Sequence, residues 1–517
     1  MLLPFYVRKV LRTKENINLF LADPPDIIIR TPHNKIMDPP PTSQIYSRFT
    51  NAPHATPRTM PHLVIVPLSI VSHTRSTLGL ALNLLNIHPT LRVTWCTTTY
   101  GLPCLLRELA RHPPPDHRWN VVEMKDTLEQ SEGSYADSDV VKREFPAVLA
   151  RLDATAVLID MFRPVADAVR RVKPGIPLLG IMPSLAFTAF WFIGRDEDGA
   201  VMEKIMERYE GYRATMDHDV AAMKAFRHIK GKLLDLPELP PLYDYELSPQ
   251  CGSRAAPPSP HALQAAFDTS RQVDAMLWLS TPELEEDTLA LLSRKLEKPM
   301  IGIGCQSVHT PQPVVASAAL EHLDKVLTTH GPGSAVYISF GSLFWPRDRP
   351  DILDTIIDTL SLRQTPFVIA SPVPLATGPL GCAVQWAPQA EILEHGAVGT
   401  FITHCGMGAM METIMAEVPI IALPFGSEQP QLAAYYTSTH RIGIHLHHFA
   451  SLEGLPLGNG LRVDNTLMRR ELEDALDLII SDRPALQVSI TKLKHTMVES
   501  SHHGAAFQAM QNLSTYF

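Results

Sequence analysis

Two short stretches combine residue types that could do chemistry. In PLSIVSHTRS, His73 follows the apolar run HLVIVPLS (62–69), and in AVLID (156–160) the run closes on Asp160. A neutral imidazole can take the proton of an alcohol as its oxygen attacks carbon. A buried carboxylate can fix the tautomer of that imidazole and stabilise the imidazolium. A lone histidine after a strand is most often structural, and His73 rises above that because Asp160 falls at a comparable strand end. Asp160 has a second reading, as the cap of the helix that follows.

The other stretch is HCGMGAMMETIMAEVPIIALP (404–423). His404 ends an apolar run, Gly406 and Gly408 follow, and a helix is expected from Met407 to about Met415. Glycines at a strand-to-helix turn let the backbone approach a ligand closely. The free N–H groups of the helix N-terminus, with its dipole, attract phosphate. His404 could add a hydrogen bond to a diphosphate, and Glu412, one to two turns in, could hold ribose hydroxyls. Two glycines alone are a weak signal and read first as a tight packing turn. Cys405 reads as inert packing. His445, His447 and His448 invite a metal reading, but no neighbouring carboxylate or thiol completes a site, so they read as an exposed or packed cluster.

Both stretches need strands that end together. From residue 62 apolar runs alternate with helical spacing: HLVIVPLS (62–69), TLGLALNLLNI (77–87), LRVTWCTT (91–98), AVLID, VADAVRRV and IPLLGIMP (176–183). Residues 189–273 break the rhythm, first helical and polar, then proline-rich. AMLWLS (275–280) and PMIGIG (299–304) restore it. A second series runs through AVYISFGS (335–342), PFVIAS (366–371), AVQWAP (383–388), GTFITH (399–404), PIIALP (419–424) and GIHL (443–446). Runs buried on both faces and alternating with helices indicate parallel sheets in an α/β fold. Ligands of such sheets bind beyond the carboxyl ends of the strands. The residues there are Ser72-His73, Asp160, Gly341-Ser342, Trp386 with Gln389, His404 with Gly406, and Glu428-Gln429, the set a nucleotide crevice would need.

The chain has 517 residues, 45% of them hydrophobic and 19% charged, which suits two core-forming domains. A formal net charge of −9 argues against a nucleic-acid partner. The six cysteines form no CxxC pair and no metal-ligand spacing, and read as free thiols of a reducing compartment. No apolar run reaches the ~18–20 residues of a membrane helix. Residues 1–59, crowded with proline, read as an unstructured extension, and translation could begin at Met60. No GxGxxG follows the first strand, which excludes a dinucleotide dehydrogenase fingerprint.

Residues 386–429, WAPQAEILEHGAVGTFITHCGMGAMMETIMAEVPIIALPFGSEQ, closely resemble the donor-binding signature of family 1 UDP-sugar glycosyltransferases. The matching elements are Trp386-Ala387-Pro388-Gln389, Ile392-Leu393, His395, Val398-Gly399, Phe401, His404-Cys405-Gly406, Glu412, Val418-Pro419, Pro424 and Glu428-Gln429. Tyr337 to Ser342 (YISFGS) and LWLSTPELEEDTLALL (277–292) are similar to further parts of that family, and LPELPPLYDYE suggests a fungal branch.

The resemblance implies the GT-B fold, two facing Rossmann-like domains with parallel sheets and a cleft between them. The expected division is an N-terminal acceptor-binding domain over 60–298 with 189–273 as a variable insert, a linker over 299–330, and a UDP-sugar-binding domain over 331–495. A C-terminal helix over 496–517 is expected to pack back on the first domain. The implied reaction moves a hexose, glucose by preference, from a UDP-sugar to a hydroxyl of a small lipophilic acceptor, with inversion and without metal or other cofactor. His73 matches the family's general base and Asp160 its orienting acid. Trp386 would stack on uracil and Gln389 would bond its edge, with Ala387 a further donor-binding residue, and Ser342 and His404 would hold phosphate. Glu412 would hold the ribose, and Glu428 and Gln429 the sugar. Where plant members usually read HCGWNS, this chain has Met407-Gly408-Ala409, so backbone N–H groups must carry more of the phosphate binding. That departure motivates an alternative, a nucleotide-sugar-binding protein of the same fold without catalysis. A cytoplasmic monomer completes the expectation.

Overall fold

The structure is a computed structural model of the chain and describes residues 60–125, 137–160, 163–194, 202–226, 230–250, 259–306, 317–341 and 344–517. The expected extension over 1–59 and Ser342 lie outside the described residues. The chain divides into two compact units. One comprises residues up to Ile181 with Asp268–Asp274 and Met510–Phe517, the other Met182–Phe267 with Ala275–Ala509.

In the first unit the strands β1 (His62–Val66), β2 (Arg92–Thr98), β3 (Trp119–Met124), β4 (Ala156–Ile159) and β5 (Leu178–Met182) run in the order β3-β2-β1-β4-β5. Every pairing in that run is parallel. The helices between them are α1 (Val71–Ile87), α2 (Leu102–Arg111), α3 (Asp137–Arg151) and α4 (Arg163–Val172). β1 is buried along its whole length, as its unbroken apolar run requires of a strand covered on both faces. At the start of the strands a polar clasp fixes their alignment. His62 Nδ1 meets Asp153 Oδ1 at 2.8 Å, His62 Nε2 meets Thr94 Oγ1 at 2.8 Å, and Arg92 donates to Asp153 Oδ2 at 2.7 Å. Burial holds the His62 pKa below its ordinary value, against the pull of Asp153. The last residues of the chain also join this unit: His88 Nε2 lies 2.9 Å from the Met510 carbonyl, and Phe517 packs edge-on to His88.

Two expectations change here. β3 is an additional strand: it lies at the end of the run, and only its two terminal residues are fully buried, so WNVVEM lacks a continuous apolar signal. α1 begins at Val71 rather than Thr77, because its first turn is polar and only the later residues carry the buried apolar face.

The second unit holds the insert helices α5 (Ile205–Arg213) and α6 (His218–Phe226) and a two-residue antiparallel pair, β6 (Leu233–Leu234) and β7 (Leu242–Tyr243). Strand β8 (Ala275–Trp278) pairs parallel with β9 (Met300–Gly302), with α7 (Glu286–Leu296) between them. The remainder is a six-stranded parallel sheet. Its strands are β10 (Ala335–Ser339), β11 (Phe367–Ala370), β12 (Gly381–Val384), β13 (Val398–Thr403), β14 (Ile420–Ala422) and β15 (Gly443–His445), ordered β12-β11-β10-β13-β14-β15. The helices of this sheet are α8 (Ala318–His330), α9 (Pro350–Leu362), α10 (Gln389–Leu393), α11 (Met407–Ala416), α12 (Gln429–Ala434), α13 (Met468–Ser481) and α14 (Arg483–His502).

Strand periodicity divides the core between two layers. Ile338, Ile369, Ile402 and Ile421 face one layer, with Ile352, Ile356 and Leu472 from α9 and α13. Tyr337, Val368 and Phe401 face the other, with Leu320 and Leu323 from α8. The expected strand over 383–388 is shorter and earlier. Gly381–Val384 is extended, and the chain leaves the sheet before Trp386.

Gly399 has a packing reason. The β10–β13 register jumps from Ala335↔Val398 to Val336↔Thr400, so Gly399 is the extra residue of a bulge. A Cβ there would stand 2.0 Å from the Gly333 carbonyl oxygen and 2.7 Å from the Arg483 guanidinium. Gly399→Ala is therefore expected to destabilise the fold by about 1–3 kcal/mol, as overpacking does. Differential scanning calorimetry should show a lower Tm; an unchanged Tm would mean that the bulge is free to relax.

Candidate active site

Strand pairing assembles the candidate base. β1 and β4 are neighbours, with Val66 opposite Ile159, so the residues after them leave the sheet at one edge. Asp160 is fully buried there. Its Oδ2 accepts from the Leu68 N–H at 3.3 Å and lies 2.5 Å from His73 Nδ1. His73 stands in the first turn of α1, its side chain 23% exposed. A carboxylate on Nδ1 favours the tautomer protonated there, in which Nε2 is the basic atom. The dyad expected from the sequence is thus assembled, and the Asp160 side chain serves the imidazole rather than the end of a helix.

The candidate donor-binding residues lie in the second unit. β10 and β13 are adjacent, with Ser339 opposite Thr403, which brings Gly341 beside His404. The imidazole is wedged between two glycines: a Cβ on Gly341 would stand 2.5 Å from its Nε2, and one on Gly406 2.6 Å. Gly341 also has φ +74°, a conformation that favours glycine. The first glycine of the HCGMG motif therefore makes room for a side chain of the protein. Gly408 differs, being exposed, and a Cβ there would meet nothing within 4 Å.

His404 is 9% exposed, and burial lowers its pKa to about 4, with the Ser339 backbone pulling weakly the other way. At neutral pH it is an uncharged hydrogen-bonding group. Cationic help for an anion must then come from the helix. α11 starts at Gly406 with no side-chain cap and no acidic residue in its first turn. Its first intrahelical bond comes from Met410 N–H to the Gly406 carbonyl, so the N–H groups of Met407, Gly408 and Ala409 point out of the helix end. The side chains of Met407 and Ala409 are buried and contribute packing only.

Trp386 is 67% exposed, so its ring is open to a ligand. Ala387 is partly buried against the core beside it. Gln389 donates through Nε2 to Glu412 Oε2 and accepts at Oε1 from the Tyr337 hydroxyl at 3.2 Å. Gln389 and Glu412 therefore form one unit, and Gln389 is tied to the carboxylate rather than left pointing at a base. Gln429 is buried, and its Oε1 accepts from Phe425 N–H at 3.0 Å and Gly426 N–H at 3.4 Å. It shapes the loop, and its amide N–H₂ is the group that can donate to a sugar hydroxyl. Glu428, half-buried, stands at the start of α12. Cys405 and Ser427 have φ of +62° and +61°, non-glycine residues in the left-handed region at the two turns that carry these groups. Cys405 is buried and its thiol pKa is raised, as an inert packing residue requires.

Tyr337 is the contributor that sequence reading misses. It reads as one more residue of the run AVYIS, and its hydroxyl is the only signal. The histidine cluster is packed: the His445 and His447 rings lie 4.2 Å apart, and the N–H groups of His447 and His448 donate to Glu471. Among the described residues no group of three or more His, Cys, Asp or Glu could hold a metal ion. No helix among them is long and apolar enough to cross a membrane.

Residues 321–452 match the family model described as UDP-glucoronosyl and UDP-glucosyl transferase. The UDP-glycosyltransferase eriJ of Hericium erinaceus is 28% identical over 346 residues, 60% of this chain and 65% of that protein. Anthocyanidin 3-O-glucosyltransferase 7 of Manihot esculenta is 35% identical over 167 residues, 30% of this chain and 56% of that protein. The first of these curated relatives are thus matched over less than two thirds of their own length. In structure, Medicago truncatula UGT71G1 complexed with UDP-glucose superimposes with a TM-score of 0.66 at 16% identity, covering 88% of this chain and 99% of that one. The expected GT-B architecture is borne out.

The neutral state of His404 has a measurable consequence. The unfolded chain's histidine takes up its proton near 6.5, the folded one only near 4. Its contribution to stability is complete above 6.5 and is lost as the pH falls through that window toward 4. The diphosphate of UDP-glucose keeps its charge from pH 8 to 6. Where such a diphosphate is the ligand of this helix end, its affinity, measured by titration calorimetry, is expected to be the same at both pH values. Markedly tighter binding at pH 6 would show a cationic imidazole instead.

Proposed function

We propose that the chain is a member of the UDP-glycosyltransferase family, whose model residues 321–452 match, and that it is an inverting glycosyltransferase moving glucose from UDP-glucose to a hydroxyl of a small lipophilic acceptor. The observation that carries the catalytic part is the 2.5 Å contact between His73 Nδ1 and the buried Asp160 carboxylate. It supports a working base and so favours catalysis over a binding protein of the same fold.

In this reading His73 Nε2 takes the proton of the acceptor hydroxyl while its oxygen bonds to the anomeric carbon. The bond from that carbon to the diphosphate oxygen breaks, and the electron pair leaves on UDP. A single displacement of this kind inverts the anomeric centre. The growing charge on the diphosphate is met by the N–H groups at the start of α11 and by the neutral His404. Trp386 offers an exposed ring to uracil, the Gln389–Glu412 pair holds ribose hydroxyls, and Glu428 with the Gln429 amide holds the sugar. The UDP-glucose in the Medicago truncatula complex supports the choice of donor. The proposed step asks for no metal: the base and the helix N-terminus cover both proton and charge. The thiols of Cys96, Cys104, Cys382 and Cys405, none of them in a disulfide, support a cytoplasmic protein, which we take to act as a monomer.

Incubation with UDP-[¹⁴C]glucose and a panel of sterol, polyketide and phenol acceptors should give labelled product. With a good acceptor, His73→Ala is expected to lower kcat by ~10²–10⁴-fold with UDP-glucose affinity unchanged. Asp160→Asn should lose a similar share by favouring the wrong tautomer. Full turnover by His73→Ala, or no product with any acceptor despite tight UDP binding, would sink the catalytic reading.

A further inference from the structure

We propose that Tyr337, a buried strand residue outside the donor signature, is a positioning residue that orients the Gln389–Glu412 pair and thereby sets the preference for a ribonucleotide. The inference rests on the reading of Glu412 as the group that holds ribose hydroxyls.

Tyr337 lies in β10 and is 1% exposed. Its register partner in β13 is Phe401, and the two rings stack with centroids 4.8 Å apart and planes 17° from parallel. Packing thus fixes the ring, and the hydroxyl has one place to be. It donates to Gln389 Oε1 at 3.2 Å. The opposite end of that amide then faces Glu412, and Nε2 donates to its Oε2.

An amide offers an acceptor at one end and donors at the other, so its two partners must agree. A carboxylate can only accept, and a phenol facing the carbonyl must donate. The arrangement tyrosine to glutamine to glutamate satisfies both contacts in one orientation. The flipped amide would set a carbonyl oxygen against the carboxylate. Burial and the Glu412 charge both push the phenol pKa up, so Tyr337 stays protonated and remains a donor throughout the working range. The Ser339 side chain lies against the same phenol and also accepts from the Gly341 N–H at 3.4 Å. A continuous polar path therefore runs from the turn beside His404 to Glu412.

Gln389 is the first residue of the five-residue helix α10, and Glu412 lies in the middle of α11. The strand hydroxyl is what holds these two long side chains, from different helices, in one register. Without it Gln389 keeps a single anchor, and the pair loses rotamer entropy whenever a ribose diol binds.

The test is Tyr337→Phe, which keeps the ring and its stack on Phe401 and removes one oxygen. UDP and 2′-deoxy-UDP affinities are read by titration calorimetry, with thermal unfolding measured alongside. The loss of one buried hydrogen bond should weaken UDP by about fivefold to tenfold. It should weaken 2′-deoxy-UDP less, so the preference for UDP falls, while kcat at saturating UDP-glucose is unchanged. Tyr337→Met, which also lacks the hydroxyl, gives the same reading should the Phe variant fold poorly. The double variant with Gln389→Ala should be no weaker than Gln389→Ala alone. Wild-type affinity and preference in Tyr337→Phe, together with a lost preference in Glu412→Gln, would overturn the role of Tyr337 and leave the ribose site standing. If Glu412→Gln itself keeps full preference, the ribose reading fails and the role of Tyr337 falls with it.

Discussion

A parallel sheet covered on both faces leaves its polar chemistry only the ends of its strands, and that constraint governs both units. Ile338, Ile369, Ile402 and Ile421 are fully buried on one side of the second sheet, and Tyr337, Val368 and Phe401 on the other. No ligand can reach the middle of such a layer. The residues just past each strand must therefore carry the function, and strand adjacency decides which groups meet. β1 beside β4 delivers His73 to Asp160; β10 beside β13 delivers Gly341 to His404. Neither meeting requires local sequence proximity. Each requires only that two apolar runs pair in one register.

The turns at those strand ends are shaped by protein as much as by ligand. Gly341 and Gly406 leave space for an imidazole, Gln429 ties down the backbone of Phe425 and Gly426, and two non-glycine residues hold left-handed φ. Such conformations cost of order 1–3 kcal/mol each and persist where surrounding packing over-determines them. Cys405 is surrounded in this way: its N–H donates to Thr403 Oγ1 at 3.1 Å and its side chain is fully buried. The strained turn sends the chain directly into α11 and presents the helix end unblocked.

Much of this is legible in the sequence, for physical reasons that also mark the limit. Unbroken apolar runs identify buried parallel strands, so nearly every strand of both sheets is placed to within a few residues, and polar residues after them nominate His73, Asp160, His404 and Trp386. β3 escapes because a half-buried strand at the end of a run has no such signal. The Gln389–Glu412 bond escapes because it joins two helices through side chains, and periodicity is silent about that. Tyr337 escapes for the opposite reason: it obeys the core pattern fully, and its one polar atom is invisible to a rule that counts apolar faces. Residue type alone assigns Gly406 to ligand approach, whereas its nearest claim is the His404 ring, a side-chain packing that only coordinates reveal.

The two histidines at strand ends show how environment alone divides one side-chain type between two tasks. His73 has a carboxylate at 2.5 Å and a partly exposed ring, so a positive charge formed on it is paired and partly solvated. His404 is buried, and that burial strongly disfavours its charged form. The first can accept a proton during a reaction and hold it; the second can only donate or accept a hydrogen bond. A base must gain charge, so it needs a partner such as Asp160. A group beside a diphosphate need not be charged when a helix N-terminus already supplies the field. One chain thus holds both environments, one that pairs a charge and one that excludes it, and what each imidazole can do follows from its surroundings rather than from its residue type.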